Sequence, residues 1–251
     1  MRIKIIFESQ NQNLILPLHY NHLIQSLIYN VFSKEVADKL HNEGYNFQKR
    51  IFKLFTFSRI LEKGEKNSNT LKFKRNISFY FSSPFLDIVK DFGTSAFNSS
   101  KFTLLNQEIY VSGIEVVNRP LLSDRILIKM LSPVTIHSTL EKADGSQKYY
   151  YYKPNEKEFS KLIEENAKKK FFIINQKDPT NLTLEIRPYK FSVKNNLSVV
   201  MFKNTPIEAY TGIFELKGSK ELIETTYLAG LGDKNPEGFG MWEVWKGGEN
   251  A

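Results

Sequence analysis

The order of strand-like and helix-like patterns is the feature that most limits what this chain of 251 residues can fold into. Ile3, Ile5 and Phe7 stand at alternating positions and predict an opening strand. Asn21 and Ser33 precede helical repeats of apolar residues and are candidate N-caps. The first half predicts, in order, a strand at 2–8, helical segments at 22–32 and 34–44, strands at 53–60, 71–75 and 76–83 (the last two either paired or continuous), a helix starting at Pro84, and strands at 101–105 and 108–117.

The second half repeats the same order. It predicts, in order, a strand at 124–136, a tyrosine-rich hairpin around 148–152, a helix at 155–170, strands at 181–193 and 205–217, a helix at 219–230 and a last strand at 240–246. Each half therefore has the order β-α-β-β-α-β, which builds a ferredoxin-like fold. We expect an α+β protein of two tandem ferredoxin-like (RRM-like) domains, 1–119 and 120–251, divided at Arg119-Pro120.

A glycine-rich segment, GLGDKNPEGFG, lies between the last predicted helix and the last predicted strand. Residues 230–240 hold four of the chain's 13 glycines. Glycine permits a positive φ and a close approach of the backbone to another group. Two interpretations remain open: a long connection with a glycine helix cap, or a backbone platform for an anion such as phosphate.

The charge balance favours a polyanionic partner. The formal net charge is +8, and aromatic residues make up 14% of the chain. Cations lie beside rings in four clusters, 49–53, 72–75, 168–172 and 187–191, and this combination can bind phosphates and stack bases. For 72–75 and 187–191 we favour the simpler interpretation of a strand with one buried and one solvated face. The run 168–170 is predicted to end a helix, where cations suit the dipole.

Several function classes are disfavoured. The chain has no cysteine, which excludes disulfides and zinc-thiolate sites. His19 and His22 have a metal-like spacing but no accompanying carboxylate cluster, so no metal site and no cofactor are expected. The glycine segment matches neither a Walker A loop nor a dinucleotide fingerprint, and no RNP1-like run is found. The first residues lack a signal-peptide pattern and no run is apolar enough to span a bilayer, so we expect a cytoplasmic protein without a membrane partner.

The glycine motif, Gly230-x-Gly232-x₅-Gly238-Phe239-Gly240, resembles the C-terminal motif of the repeat-RNA-processing endoribonucleases of CRISPR systems, which belong to the RAMP superfamily. The segment 17–32 is similar to the opening helix of the archaeal-type members, and 53–60 is similar to their next strand. The segment 127–136 is similar to the start of their second domain. The resemblance thus extends over nearly the full length of the chain.

The resemblance implies a metal-independent endoribonuclease that cuts CRISPR precursor RNA within each repeat. The 2′-hydroxyl attacks the adjacent phosphate, which leaves a 2′,3′-cyclic phosphate and a 5′-hydroxyl. The family's catalytic positions fall on Tyr29, His41 and Lys53. His41 is expected to be the general acid, Lys53 to stabilise negative charge, and Tyr29 to be either base or orienting group. Taken singly, each of the three also fits a structural or surface role.

Further residues are expected to bind the RNA. Lys49 and Arg50 neighbour Lys53 and would extend its positive field. The expected contacts in the glycine-rich segment are Gly230, Gly232, Lys234, Gly238, Phe239 and Gly240, unless the glycines serve to pack the domain junction. The expected partner is CRISPR repeat RNA, with other effector-complex subunits as a further possibility. The alternative function is a non-catalytic RAMP subunit that holds guide RNA in an effector complex.

Overall fold

The computed structural model describes residues 1–141 and 144–247. Within them the chain forms two compact units. The first comprises Met1–Arg119 together with Pro236–Gly238, and the second comprises Pro120–Asn235 together with the residues from Phe239 onward. The short segment 236–238 of the glycine-rich region therefore packs with the first unit.

The first unit is built around one antiparallel sheet. Its elements are β1 Arg2–Pro17, α1 Asn21–Val31, α2 Lys34–Asp38, a π-helical turn Lys39–Glu43, β2 Tyr45–Phe47, β3 Arg50–Phe52, β4 Thr56–Phe57, β5 Glu65–Asn67, β6 Thr70–Ser82, α3 Leu86–Asn98, β7 Phe102–Leu104 and β8 Gln107–Val116. The sheet order is β4-β6-β1-β8-β7, with β5 also paired to β6, whereas β2 and β3 form a separate hairpin.

The core of the first unit explains this arrangement. The alternating side chains of Ile3, Ile5 and Phe7 on β1 are buried. They pack in one cluster with the apolar stripe of α1, represented by Leu27 and Ile28, and with that of α3. Because strands bury every second residue and helices one stripe, the pattern of the sequence fixes which faces meet.

The second unit repeats the plan with two added hairpins. Its elements are β9 Arg125–Met130, β10 His137–Glu141, β11 Gln147–Tyr151, α4 Lys157–Asn175, β12 Leu184–Tyr189, α5 Val193–Asn196, β13 Leu197–Phe202, β14 Thr205–Tyr210, β15 Ile213–Gly218, α6 Lys220–Ala229, a 3₁₀ turn Asn235–Glu237 and β16 Trp242–Val244. The main sheet has the order β12-β15-β9-β16, and β10–β11 and β13–β14 are two-stranded hairpins.

Both units are ferredoxin-like, as predicted. Counting only the core strands, the second, third, first and fourth lie side by side in each sheet: β4-β6-β1-β8 in one and β12-β15-β9-β16 in the other. This is the arrangement that a β-α-β-β-α-β chain adopts in that fold. Within the described residues, no helix is long and apolar enough to cross a membrane.

Several local predictions need correction. The strand predicted over 53–60 contains only Thr56–Phe57, and the one predicted over 205–217 is divided into β14 and β15. Ser33 caps α2 as predicted, accepting a hydrogen bond from the Val36 N–H. Asn21 does not cap α1, because its side-chain amide instead donates to the carbonyls of Glu237 and Gly238 at 3.0 and 3.3 Å.

Candidate functional site

The three predicted catalytic residues lie together in the first unit. The rings of Tyr29 and His41 meet edge to face, with centroids 5.9 Å apart and planes at 83°. The Lys53 ammonium donates a hydrogen bond of 2.8 Å to the backbone carbonyl of His41. A phenol, an imidazole and an ammonium from three separate segments are thus neighbours on one surface.

Tyr29 presents a neutral hydroxyl at this surface. Its ring stands on α1 and packs edge-on against Phe32 and Phe55, with centroids 6.2 and 5.9 Å away. Burial raises the pKa of Tyr29 to about 12. No hydrogen-bond partner for the hydroxyl is found among residues 1–141 and 144–247. The phenol therefore stays protonated at neutral pH and can donate a hydrogen bond to a ligand.

His41 lies on the π-helical turn that follows α2. The turn is closed by a hydrogen bond of 2.8 Å from the Gly44 N–H to the Lys39 carbonyl, and its Leu40 side chain is buried in the core. Such π turns are frequent at functional sites. His41 itself is exposed, and its Nδ1 lies 3.0 Å from Asn42 Oδ1. When Nδ1 donates to this oxygen, Nε2 is left to face a ligand.

Gly44 allows the histidine turn to approach Lys53 closely. It has φ 61° and ψ −150°, a region that is essentially closed to residues with a Cβ. An added Cβ would lie 2.6 Å from Ile51 Cγ2 and 2.8 Å from the Phe52 carbonyl oxygen. Glycine is therefore required at this position for the turn and the β2–β3 hairpin to meet.

The sequence predicted that Lys53 opens a strand, but the residue lies between β3 and β4. The next residue, Leu54, is buried and has a left-handed backbone with φ 53°. The Ser83 hydroxyl donates to the Leu54 carbonyl at 2.8 Å and holds this unusual conformation. Partial burial lowers the pKa of Lys53 below its ordinary value. The lysine is thus placed by a strained and well-anchored segment, as is common at functional sites.

Lys49 and Arg50 belong to the β2–β3 hairpin that leads directly to Lys53. Lys49 lies in the turn, and Arg50 is the first residue of β3. Both are exposed. Their charges therefore stand on the same hairpin that carries the chain into the candidate site.

The glycine-rich segment is mostly buried. Gly230, Gly232, Gly238 and Gly240 all have a positive φ, and all are buried. A Cβ would lie 2.2 Å from the Thr135 carbonyl oxygen at Gly232, and 2.0 Å from that of Leu231 at Gly240. Close packing of the backbone against its own chain is therefore the reason for glycine at positions 232 and 240.

This burial argues against direct RNA contact at the glycines and at Phe239, whose side chain is 0% exposed. Some of their backbone groups are also hydrogen-bonded within the chain: the Gly240 N–H donates to the Pro133 carbonyl and the Gly238 carbonyl accepts from Asn21. Lys234 differs, because it is partly exposed. Of the six predicted contacts in this segment, Lys234 is the one with a side chain that reaches the surface.

A match to a protein-family model decides which family this chain belongs to. The model described as the C-terminal part of CRISPR-associated protein Cas6 matches residues 117–244, just over half of the chain. The model for the N-terminal part matches residues 15–115. This chain belongs to the Cas6 family.

Individual relatives agree with this placement in the Cas6 family. A protein of Methanocaldococcus jannaschii named CRISPR-associated endoribonuclease Cas6 1 is 28% identical, over 96% of this chain and 91% of its own length. The CRISPR-associated endoribonuclease Cas6 of Pyrococcus furiosus is 25% identical, over 96% and 88%. A solved structure titled CRISPR associated protein Cas6 superposes with a TM-score of 0.80 at 25% identity, covering 98% of this chain and 99% of its own.

A buried lysine beneath the glycine-rich segment of this Cas6 chain was not expected from the sequence. Lys170 is fully buried on α4, and the helix continues to Asn175, so the run 168–170 does not end it. Its ammonium donates to the carbonyls of Gly230 and Gly232 at 2.8 Å each, and to Asn235 Oδ1 at 2.6 Å. Helical spacing from Ile163 and Ala167 places Lys170 on the apolar stripe of α4, and this spacing was the available signal.

Asp233 extends this buried network. Its carboxylate accepts hydrogen bonds from the backbone N–H of His137 at 3.2 Å and from Asn166 Nδ2 at 3.0 Å. The same carboxylate lies 3.0 Å from the ring nitrogen Nδ1 of His137. Burial alone would raise the pKa of Asp233, but the hydrogen bonds and charge of His137, together with Lys170, hold it below its ordinary value. Burial lowers the pKa of Lys170 to about 7, and the charge of Asp233 opposes part of that shift. The segment is thus held from beneath by buried polar groups.

Proposed function

We propose that this endoribonuclease cuts CRISPR precursor RNA within each repeat, without a metal ion, by attack of a 2′-hydroxyl on the adjacent phosphate. The products are a 2′,3′-cyclic phosphate and a 5′-hydroxyl. The observation that carries the proposal is the meeting of Tyr29, His41 and Lys53 in a chain of the Cas6 family.

Tyr29 acts as a hydrogen-bond donor and not as the base. With its pKa raised to about 12, the phenol is almost wholly protonated at neutral pH. A neutral hydroxyl without a partner in the described chain suits a phosphate oxygen or the attacking 2′-oxygen. Packing of the ring against Phe32 and Phe55 fixes the direction in which the hydroxyl points.

His41 gives a proton to the leaving oxygen. In its charged form, Nδ1–H is held by Asn42 and Nε2–H faces the substrate. As the 2′-oxygen bonds to phosphorus and the bond to the 5′-oxygen breaks, the imidazolium protonates the 5′-oxygen. The proton of the 2′-hydroxyl passes to solvent. Proton transfer by a positioned side chain typically contributes about 10²- to 10⁴-fold in rate.

Lys53 stabilises the negative charge that grows on the phosphate oxygens. Its ammonium has three protons, and one of them is used on the His41 carbonyl. The remaining two can face the phosphate. A preorganised cation needs little rearrangement as the charge develops, which is why such groups lower the barrier efficiently.

The exposed cations Lys49 and Arg50, together with the partly exposed Lys234, bind the RNA backbone in this account. The net charge of +8 supports attraction to a polyanion. The substrate is a transcript, so the protein acts in the cytoplasm, alone or as a subunit of an effector complex.

A blocked substrate tests the proposal. Labelled repeat RNA is compared with the same RNA carrying a 2′-deoxy group at the scissile nucleotide, both in EDTA. We expect one cut with a cyclic phosphate end in the intact RNA, no cut in the deoxy RNA, and equal affinity for both. Tight binding of intact RNA without any cut would support instead the non-catalytic RAMP subunit.

A further inference from the structure

We propose that Tyr149 and Lys234 form a subsite for one unpaired nucleotide of the RNA, with its base on the tyrosine ring and its phosphate at the lysine ammonium. The inference rests on the proposed function for the identity of the ligand. It assigns a role to the tyrosine-rich hairpin, which takes no part in the chemistry at Tyr29, His41 and Lys53.

The β10–β11 hairpin divides its tyrosines between two faces. The pairing sets His137 opposite Tyr151 and Thr139 opposite Tyr149, so these residues share a face. The His137 ring contacts Tyr149 at 5.2 Å and Tyr151 at 5.6 Å. Tyr150 points to the opposite face, where its hydroxyl donates to Glu156 at 2.8 Å.

Tyr149 is a large ring that is held in place and yet open to solvent. Its ring stands perpendicular to the His137 ring and contacts it, but the residue remains 46% exposed. An aromatic ring with few rotatable bonds loses little freedom when a flat ligand stacks on it. Unpaired bases expose their faces and stack on such rings, whereas paired bases do not.

Lys234 is preorganised next to this ring. It is a residue with a side chain in the left-handed region, with φ 56°, and this conformation persists only where its surroundings enforce it. The enforcing contacts lie on both sides. The Asp233 N–H donates to the Thr135 carbonyl at 2.8 Å, and the Asn235 side chain accepts from the buried Lys170.

The side chain of Lys234 leaves this fixed backbone toward Tyr149. Its ammonium lies 5.9 Å from the centroid of the Tyr149 ring. A cation over an exposed ring matches the two parts of a nucleotide, because the ring accepts a base and the cation a phosphate. The positive net charge of the chain favours a polyanionic ligand, and its membership of the Cas6 family indicates that this ligand is RNA.

Two tyrosines of the same hairpin provide a matched test. The full chain is titrated with repeat RNA that carries a 2′-deoxy group at the scissile nucleotide, so that binding is measured without cleavage. Tyr149→Ala should weaken binding about 5- to 150-fold, the usual effect of losing one stacked base. Tyr149→Phe should retain the affinity. Tyr150→Ala, on the other face and of similar exposure, should leave it unchanged.

The contribution of Lys234 is tested separately through the salt dependence of RNA binding. Lys234→Gln should reduce the slope of log affinity against log salt by about 0.7, the value for one phosphate contact on a single strand. The inference is overturned if Tyr149→Ala binds as tightly as Tyr150→Ala, or if Lys234→Gln leaves the salt slope unchanged.

A second measurement does not depend on the folding of any variant. Wild-type protein is irradiated with repeat RNA that contains 4-thiouridine, and the attached peptide is identified. A crosslink at Tyr149 supports the subsite, and crosslinks confined to other segments overturn it. Wild-type cleavage of intact RNA is followed in parallel. Absence of a cut there, with Tyr149 still needed for binding, would remove the proposed function and leave the subsite standing.

Discussion

The ammonium of Lys53 is bonded to the backbone carbonyl of His41 at 2.8 Å, although the two residues are 12 positions apart. The Lys53 side chain therefore holds in place the segment that carries His41. This contact ties the π-helical turn to the strained segment around Leu54. A change that disturbs either the turn or the segment around Leu54 should therefore displace both Lys53 and His41.

Replacing Tyr29 by phenylalanine isolates the contribution of its hydroxyl. The ring contacts with Phe32 and Phe55 are retained, so thermal stability should not change. Because the hydroxyl donates to a charged phosphate in our account, its loss should slow single-turnover cleavage about 10- to 150-fold. Cleavage at the wild-type rate would show that the ring alone matters.

Replacing Gly44 by alanine should separate the histidine turn from Lys53. The new Cβ meets Ile51 Cγ2 and the Phe52 carbonyl, and neither can retreat without moving the hairpin. We expect cleavage at saturating RNA to fall by more than about 10-fold, since a misplacement of ~1 Å is costly in rate.

Gly145→Ala is the control for that variant. Gly145 also has a positive φ of 78°, but a Cβ there meets nothing within 4 Å. The control therefore carries a penalty for positive φ without the collision. Equal cleavage by the two alanine variants would mean that the approach of the turn to Lys53 is unimportant.

Lys49 and Arg50 should act on binding and not on chemistry. Both are exposed on the β2–β3 hairpin, so removing their charges with Lys49→Gln and Arg50→Gln together deletes up to two phosphate contacts. The slope of log affinity against log salt should fall by about 0.7 to 1.4. The measurement is a salt titration of uncleavable repeat RNA; an unchanged slope would place the RNA away from this hairpin.

Lys170 predicts a pH dependence of stability. Burial lowers its pKa to about 7, whereas an unfolded lysine titrates near ~10.4. Between these values the unfolded chain binds more protons than the folded one. The free energy of unfolding should therefore rise with pH from about 7 to about 10, by at most ~1.4 kcal/mol per pH unit from this group.

Lys170→Met should abolish that rise and lower stability. The carbonyls of Gly230 and Gly232 would lose their donor, at a cost of about 2–5 kcal/mol. Urea unfolding at pH 7 and pH 9 measures both effects. Lys168→Met is the control, because Lys168 is partly exposed and paired with Glu164 on the same helix. A rise with pH that survives in Lys170→Met would assign it to other groups.

The order of elements was predictable because it depends on local periodicity. Alternation around Ile5 and the helical stripe around Leu27 each specify one buried face, and these faces build the predicted fold. The cap at Ser33 was also predictable, since it involves only neighbouring residues. The family assignment was predicted from the glycine motif and is confirmed by the family models.

Features that depend on distant contacts were missed. The strand predicted through Lys53 and Leu54 is interrupted because Leu54 adopts a left-handed backbone, which is held by Ser83, the residue that follows β6. The sequence predicted that Lys170 lies at a helix end, but the carbonyls that accept its hydrogen bonds are 60 and 62 residues away in sequence. Local pattern carries no information on such partners.

The most direct test of the account is the single-turnover cleavage rate of saturating repeat RNA by His41→Ala in EDTA, beside wild type. The account predicts that wild type cuts at one position within the repeat. It also predicts that the variant is slower by at least about 10²-fold while its affinity for the RNA is retained. Cleavage by His41→Ala at the wild-type rate and position would contradict it.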